Sequence, residues 1–370
     1  MNRLRKNLGL IYFILPYVEV VENKLGLIIS ILLGKSKYRV KLKDNLRVDF
    51  KSTEFYTMLS LLGILTFATS YHVKSNNKIE FTFDTKNYFS VPLYNLSYED
   101  RNLIEVLFGG IKFGANFITN ENAEIKQLRD KTFKIFQYNN KKVIEISSGI
   151  KFYIDSIHPG NTIIETFVRN IHFINSFDSL ENKVVIDVGA ECGDTPLFFA
   201  NMGATVYAFE PITEYYEAMI RNISLNPDLA PKIIPINAAI GKDGMLTFYQ
   251  SSTGEIGRTS FVSNLHGKNA KVIQTKGYSL ESAFEEFNIK HVDLLKMDCK
   301  GCEFFITNNS LKKVDSVKIE FSKFQESHNL KDLLELLEKE GFEYMTYKHD
   351  PTSHESNLIK TTIYGKKKKL

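Results

Sequence analysis

Residues 184–194, VVIDVGAECGD, limit what this chain can fold into more than any other stretch. Apolar and β-branched residues run into Asp187, the pattern of a strand buried on both faces of a parallel sheet. Gly189 and Gly193 then open a tight turn. Asp194, Thr195 and Pro196 follow as a helix start, since Asp and Thr cap helices well and Pro fits a first turn. A strand, a glycine turn and a helix N-terminus in that order cradle a nucleotide-like ligand, because it can approach backbone only where Cβ atoms are missing.

The glycine spacing narrows the choice of ligand. Asp-x-Gly-x-x-x-Gly differs from the Gly-x-Gly-x-x-Gly of pyrophosphate binders. It favours S-adenosylmethionine, which has no pyrophosphate to wrap, over NAD or FAD. One strand–helix–strand step later, residues 204–209 (ATVYAF) read as a second strand ending on Glu210 and Pro211. An acid at that strand tip, roughly 20 residues on, is the usual acceptor for both ribose hydroxyls.

Two more strand tips have suitable chemistry. Residues 232–236 lead into Asn237 and Ala238, small enough for an adenine ring to lie against the backbone. Residues 292–297 lead into DCKGCE at 298–303. With the segments VVIDVGAECGDTPLFFA, VYAFEP, INAAIG and LLKMDCKGCE in hand, residues 145–348 resemble the FkbM family of S-adenosylmethionine-dependent methyltransferases. The resemblance implies a Rossmann-like seven-stranded methyltransferase sheet and O-methylation, commonly of sugars in glycans or natural products. Lys300 stands where the family pattern has its first Glu. Glu320 is kept, without the His that often follows it.

Asp187 is expected to cap the glycine turn and meet the methionine end of the cofactor. Gly189, Ala190 and Gly193 make room for it, Glu210 and Pro211 hold the ribose, and Asn237 and Ala238 flank the adenine. Asp298 is the first candidate for the catalytic carboxylate, with Lys296, Glu303 and Glu320 the other charged groups at that rim. A carboxylate facing a sulfonium favours its ionised form, so Asp298 would orient an acceptor hydroxyl more than strip its proton. The competing structural reading makes Asp187 and Glu210 caps for the helices at 194–202 and 213–225, and Asp298 a cap for a helix starting near Gly301. No metal-ligand trio is visible in the sequence, so metal-independent chemistry is expected.

Strands and helices alternate from Val184 onward, which calls for a parallel sheet with helices on both faces. Strands are expected at 184–188, 205–209, 232–236, 292–297 and 315–320, with a closing pair near 342–347 and 360–365. Further strands at 245–249 and 271–275 flank a Gly- and hydroxyl-rich loop, 251–260, that carries Arg258 and reads as a lid or a mobile hairpin tip. Residues 1–140 differ in pattern and form an accessory α+β region ahead of a methyltransferase domain at 141–370. There, hairpins at 38–50, 78–93 and 142–154 each feed a helix, and Thr119–Lys131 reads as a linker. Ser97 with Asp100 resembles a capping box.

At 370 residues the chain is long enough for two domains. A net charge of +4 is too balanced for a dedicated nucleic-acid binder. No Pro-Pro-aromatic run follows Asp298 as it would in a base methylase. Three cysteines exclude a disulfide framework and point to a reducing, cytoplasmic setting. Cys299 and Cys302 then read as small residues packed in a tight loop, with zinc as the lesser alternative. Two apolar runs within residues 1–35 are too short to span a bilayer. They read as helices packed on the chain's own core, with peripheral membrane contact, aided by Lys24, Lys35 and Lys37, as the alternative. The acceptor expected is a hydroxyl of a sugar, glycan or small molecule. The alternative functions are an NAD-dependent oxidoreductase and a non-catalytic methyltransferase-like interaction protein. Oligomeric state is not legible.

Overall fold

A computed structural model describes residues 2–43, 46–74, 78–83, 88–118, 131–157, 161–171, 179–250, 259–260, 271–322, 329–348 and 360–368. The turn at Asp44 and Asn45, the linker at 119–130 and the loop at 251–258 with Arg258 lie outside these residues. The chain divides into two compact units, Met1–Ile171 and His172–Leu370.

The N-terminal unit runs α1 (Asn2–Ile14), α2 (Lys24–Leu32), β1 (Lys37–Lys41), β2 (Arg47–Lys51), α3 (Phe55–Phe67), β3 (Ser70–Lys74), β4 (Lys78–Thr82) and β5 (Tyr88–Pro92). It continues with α4 (Tyr98–Lys112), β6 (Asn116–Ile118), β7 (Thr132–Tyr138), β8 (Lys141–Ile146), β9 (Lys151–Tyr153) and α5 (Asn161–Phe167). The alternating runs pair as antiparallel strands: β1 with β2, β3-β4-β5 in order, and β7-β8-β9, with β6 added parallel to β7. Helix α4 opens on the capping box read from sequence, Ser97 and Asp100 each accepting from the other's backbone N–H.

Residues 141–171 belong to this unit, so the division falls after Ile171 and not after residue 140. The cause is local. β8 pairs with β7 along its length, and buried Asn102 on α4 donates to the carbonyls of Ile154 and Ile157 at 2.9 and 2.8 Å.

The C-terminal unit runs β10 (Val184–Val188), α6 (Asp194–Asn201), β11 (Thr205–Phe209), α7 (Thr213–Ser224), β12 (Ile233–Ile236), β13 (Ala239–Ile240), β14 (Gly244–Gln250), β15 (Thr259–Ser260) and β16 (Lys271–Tyr278). It ends with α8 (Leu280–Glu286), β17 (Leu294–Met297), α9 (Asn308–Leu311), β18 (Ser316–Ser322), α10 (Leu330–Lys339), β19 (Phe342–Lys348) and β20 (Lys360–Lys367). Seven strands form one sheet in the order β12-β11-β10-β17-β18-β20-β19, with β20 antiparallel to its neighbours. Strands β10, β11, β12, β17 and β18 form the parallel sheet that the alternation calls for, and β19 and β20 form the expected closing pair. β13, β16, β14 and β15 make a separate four-stranded sheet.

The pleat separates two faces of the main sheet. Ile186, Val188, Leu295, Met297, Val317 and Ile319 join residues of α8 and α10 in one hydrophobic core. Asp187, Lys296 and Lys318, paired in register across β10, β17 and β18, occupy the opposite face. Strand order reverses between β10 and β17, and in open α/β sheets ligands bind at the carboxyl ends of the strands flanking such a reversal.

Candidate active site

A cavity of about 550 Å³ opens at that reversal. Its walls come from the tips of β10 (Val188, Gly189, Glu191) and β11 (Glu210, Pro211, Ile212), the start of α7 (Tyr215), β13 (Ala239, Ile240), β14 (Phe248) and the turn after β17 (Asp298, Cys299, Lys300, Cys302).

The glycine turn is built for close approach. Gly189 has φ +82°, and a Cβ there would lie 2.1 Å from the carbonyl oxygen of Asp298. Only glycine lets the two strand tips touch. Asp298 N–H donates to the Val188 carbonyl at 2.9 Å, which closes the junction. Gly193, also left-handed at φ +87°, is the N-cap residue of α6, so the cap falls one residue before the expected Asp194. A Cβ on Gly193 would press on Met219, so this glycine serves the packing of α7.

Asp187 is fully buried and does not face the cavity. Thr195 Oγ1 donates to its Oδ2, and Lys296 Nζ lies 2.7 Å from its Oδ1. Lys296 also donates to the Gly189 carbonyl at 2.9 Å. Burial opposes the lysine's charge, yet Asp187, Asp298 and Asp194 outweigh it and hold Lys296 above the ordinary lysine range. The pair therefore braces the turn from beneath. Beside it, Lys318 is 6% exposed, and burial together with the Lys296 charge pushes it down to about 8. Sequence reasoning passed over Lys318; its register with Lys296 was the available signal.

Glu210 lines the cavity while 3% exposed. Its Oε1 accepts from Ile212 N–H and its Oε2 from Glu191 N–H, each at 2.9 Å. The carboxylate thus supports the entry to α7, as the capping reading has it, and also presents its edge to the cavity. Burial is the main reason its pKa rises to about 8, helped by the nearby Glu191 and opposed by the two backbone N–H groups and Lys296.

Among the other expected residues, Asp298 and Pro211 line the cavity and Ala190 is buried outside it. Asn237 and Ala238 do not line it. Asn237 Nδ2 instead donates to the Glu210 carbonyl at 2.9 Å, and Ala239 and Ile240 provide the wall one to two residues further on. Lys296, Glu303 and Glu320 stay off the wall. Glu303 accepts from Gly301 N–H at 2.8 Å beneath the turn, which supplies the support that Asp298 would have given as a cap.

Cys299 and Cys302 are joined by a disulfide, which replaces the reading of two packed thiols. Between them Lys300 (φ +52°) and Gly301 (φ +129°) are both left-handed. Donor atoms of Cys299, Cys302 and Glu303 lie within 4.8 Å of one another, a clustering absent from the sequence reading. The bonded sulfurs are not thiolates in this state, and a metal ligand of this type needs the thiolate. Sequence also did not single out Glu191, Ile212, Tyr215 or Phe248. Phe248 on β14 and Tyr215 on α7 pack with Ile212 and with Ala239 on β13 into an apolar slot on the cavity wall.

Residues 187–344 match the model of the methyltransferase FkbM domain, somewhat less than half of the chain. No curated protein matches. Solved structures similar to the chain include TYW2 of M. jannaschii in complex with AdoMet, at 16% identity over 68% of this chain and 92% of that one, with a TM-score of 0.34. Precorrin-6y C5,15-methyltransferase of Geobacter metallireducens is 11% identical over 51% and 81%, with a TM-score of 0.31. Trm5b of Pyrococcus abyssi is 14% identical over 63% and 55%, with a TM-score of 0.33. Scores this low carry no argument about acceptors.

Proposed function

We propose, from the premise that residues 187–344 are a methyltransferase FkbM domain drawing its methyl group from S-adenosylmethionine, that the chain methylates a hydroxyl of a sugar, glycan or small molecule. One observation carries this reading: Glu210 and Asp298, two carboxylates from different strands, share one cavity at the sheet's reversal point.

The residues fit the cofactor. Gly189 leaves the Cβ position vacant where a ligand must reach backbone, and Glu210 offers carboxylate edges to a diol. Ile212, Tyr215, Ala239 and Phe248 form an apolar slot of the kind that takes a flat base. Bound there, S-adenosylmethionine supplies an electrophilic methyl carbon. The chain's own part is to align the acceptor oxygen, which can supply about 7–11 kcal/mol of the barrier reduction. Asp298 would accept a hydrogen bond from the acceptor hydroxyl and orient its oxygen, more than strip its proton. The buried Lys296–Asp187 pair fixes the Gly189 carbonyl, and through it the turn. Lys300 brings a cation to the same wall. We assign the reaction to the cytoplasm, where the cofactor is available.

The test is calorimetric titration with S-adenosylhomocysteine followed by turnover on sugar, glycan and small-molecule hydroxyl panels, with NAD and tRNA as comparison arms. Glu210→Ala should weaken S-adenosylhomocysteine binding by about tenfold or more, since a buried charge-assisted hydrogen bond is lost. Turnover on tRNA alone, or binding of NAD in place of S-adenosylhomocysteine, would refute the hydroxyl reading.

A further inference from the structure

Each N-terminal helix carries two apolar faces. On α2, Leu27 and Ile31 are fully buried against the unit's own core, while Leu25, Ile29 and Leu33 are 71%, 43% and 64% exposed. The exposed set recurs every four residues and so forms one stripe. On α1 and the turn after it, Ile14 and Val18 are buried, whereas Leu8, Tyr12 and Leu15 are 51%, 53% and 48% exposed. The core-packing expectation therefore accounts for four of these ten side chains. Exposed apolar residues repeated along both helices on a water-soluble surface mark an interaction site.

Charge selects the partner. Residues 1–37 contain six basic residues, Arg3, Arg5, Lys6, Lys24, Lys35 and Lys37, against two acidic ones, Glu19 and Glu22. Their surplus equals the +4 of the whole chain. The fold gathers it. Asn7 on α1 donates to the Leu32 carbonyl near the end of α2 at 2.9 Å, so the start of α1 lies beside the end of α2. Arg3, Arg5 and Lys6 precede that junction, and Lys35 and Lys37 follow it. Glu19 is engaged by Lys24, and Glu22 by Lys41, each at 2.7 Å. An apolar stripe with the exposed Lys35 and Lys37 at one end, beside the helix segment that carries three further basic residues in the sequence, matches an anionic bilayer surface, where apolar side chains enter the headgroup boundary and cations meet lipid phosphate. Among the described residues no helix is long and apolar enough to cross a membrane.

We infer that the exposed face of α1 and α2 docks the protein peripherally on an anionic lipid surface. This rests on neither the cofactor nor the acceptor assignment.

The experiment is co-sedimentation of the full chain with phosphatidylglycerol-containing and pure phosphatidylcholine vesicles, alongside light scattering for oligomeric state and S-adenosylhomocysteine titration as a fold check. Binding should favour the anionic vesicles and weaken as salt rises. The triple variant Leu25→Ser/Ile29→Ser/Leu33→Ser should lose about tenfold or more of it, because three apolar side chains no longer enter the interface. Lys35→Glu/Lys37→Glu should lose binding without touching any apolar residue. Both variants should still bind S-adenosylhomocysteine. No vesicle binding by the parent chain overturns the inference, as does equal binding to both vesicle types. A dimer that dissociates in the triple variant, with no vesicle binding, assigns the face to a second copy and also overturns it.

Discussion

Substituting Glu210 by Gln tests whether this carboxyl is held without water. Both side chains have the same shape, so the change removes the ionisable group and leaves the packing. Folded, Glu210 keeps its proton up to about pH 8, while the unfolded chain releases it near 4.5. Below 4.5 both states are protonated and the buried neutral carboxyl makes its full contribution. As pH rises from there, the unfolded state ionises first and the contribution drains away until about pH 8. Each pH unit within the window is worth ~1.4 kcal/mol, so between pH 5 and pH 9 the parent chain loses on the order of 4 kcal/mol that the Gln variant keeps. The variant has a constant cost of its own. An amide cannot accept from both Ile212 N–H and Glu191 N–H, and one unsatisfied N–H costs about 1–3 kcal/mol. The variant is therefore the less stable at pH 5 and the more stable at pH 9. Urea unfolding of the cofactor-free proteins across that range gives the comparison. A stability difference that stays flat with pH would refute the desolvated carboxyl, and with it the physical basis for a ribose-binding Glu210.

Asp298→Asn should leave S-adenosylhomocysteine affinity within a few-fold and lower turnover by roughly 10²-fold or more; unchanged turnover would remove Asp298 from the chemistry. If Glu210 binds ribose hydroxyls as a carboxylate, titration below pH 8 should release a proton, read as a binding enthalpy that changes with the buffer's ionisation enthalpy. Lys318→Met should stabilise the protein at pH 7 by on the order of 1–3 kcal/mol. The sign follows from its depressed pKa of about 8: the burial penalty is full below pH 8 and fades towards the ordinary lysine value, so the Met advantage should shrink by pH 10. A destabilised Met variant at pH 7 would show that the ammonium is needed where it is. Alkylation of the native chain should label Cys299 and Cys302 only after reduction, and buried Cys192 only after unfolding; two reactive thiols without reductant would remove the bridge.

The parallel strands were legible because burial on both faces demands mainly apolar runs, as at 184–188 and 294–297, each broken by one charged residue, Asp187 and Lys296. That Gly189, Glu210 and Asp298 reach one cavity was legible because strand tips are tied to local chain order; Asp187, expected at the cofactor, is buried off that wall. What failed was finer than a strand. Ala238 N–H bonds back to the Ile236 carbonyl at 3.0 Å, so the chain reverses within three residues, and the wall position passes to Ala239 and Ile240. Spacing alone does not say which residue of such a reversal faces inward. The Cys299–Cys302 bond needs a left-handed lysine between its partners, an unfavourable state that only tertiary context selects. Tyr215 on α7 meets Phe248 on β14 across 33 residues of chain, a contact without a local signature. The division after Ile171 was missed for a related reason: β8 and β9 look like any strands until their partner in β7 is known.

The contact between Gly189 and the Asp298 carbonyl has a mechanical consequence. The turn after β10 and the turn after β17, both on the cavity wall, bear on each other without an intervening side chain. Under the proposed function, a substitution that reshapes the turn at 298–302 to admit a different acceptor would push on the seat proposed for the methyl donor.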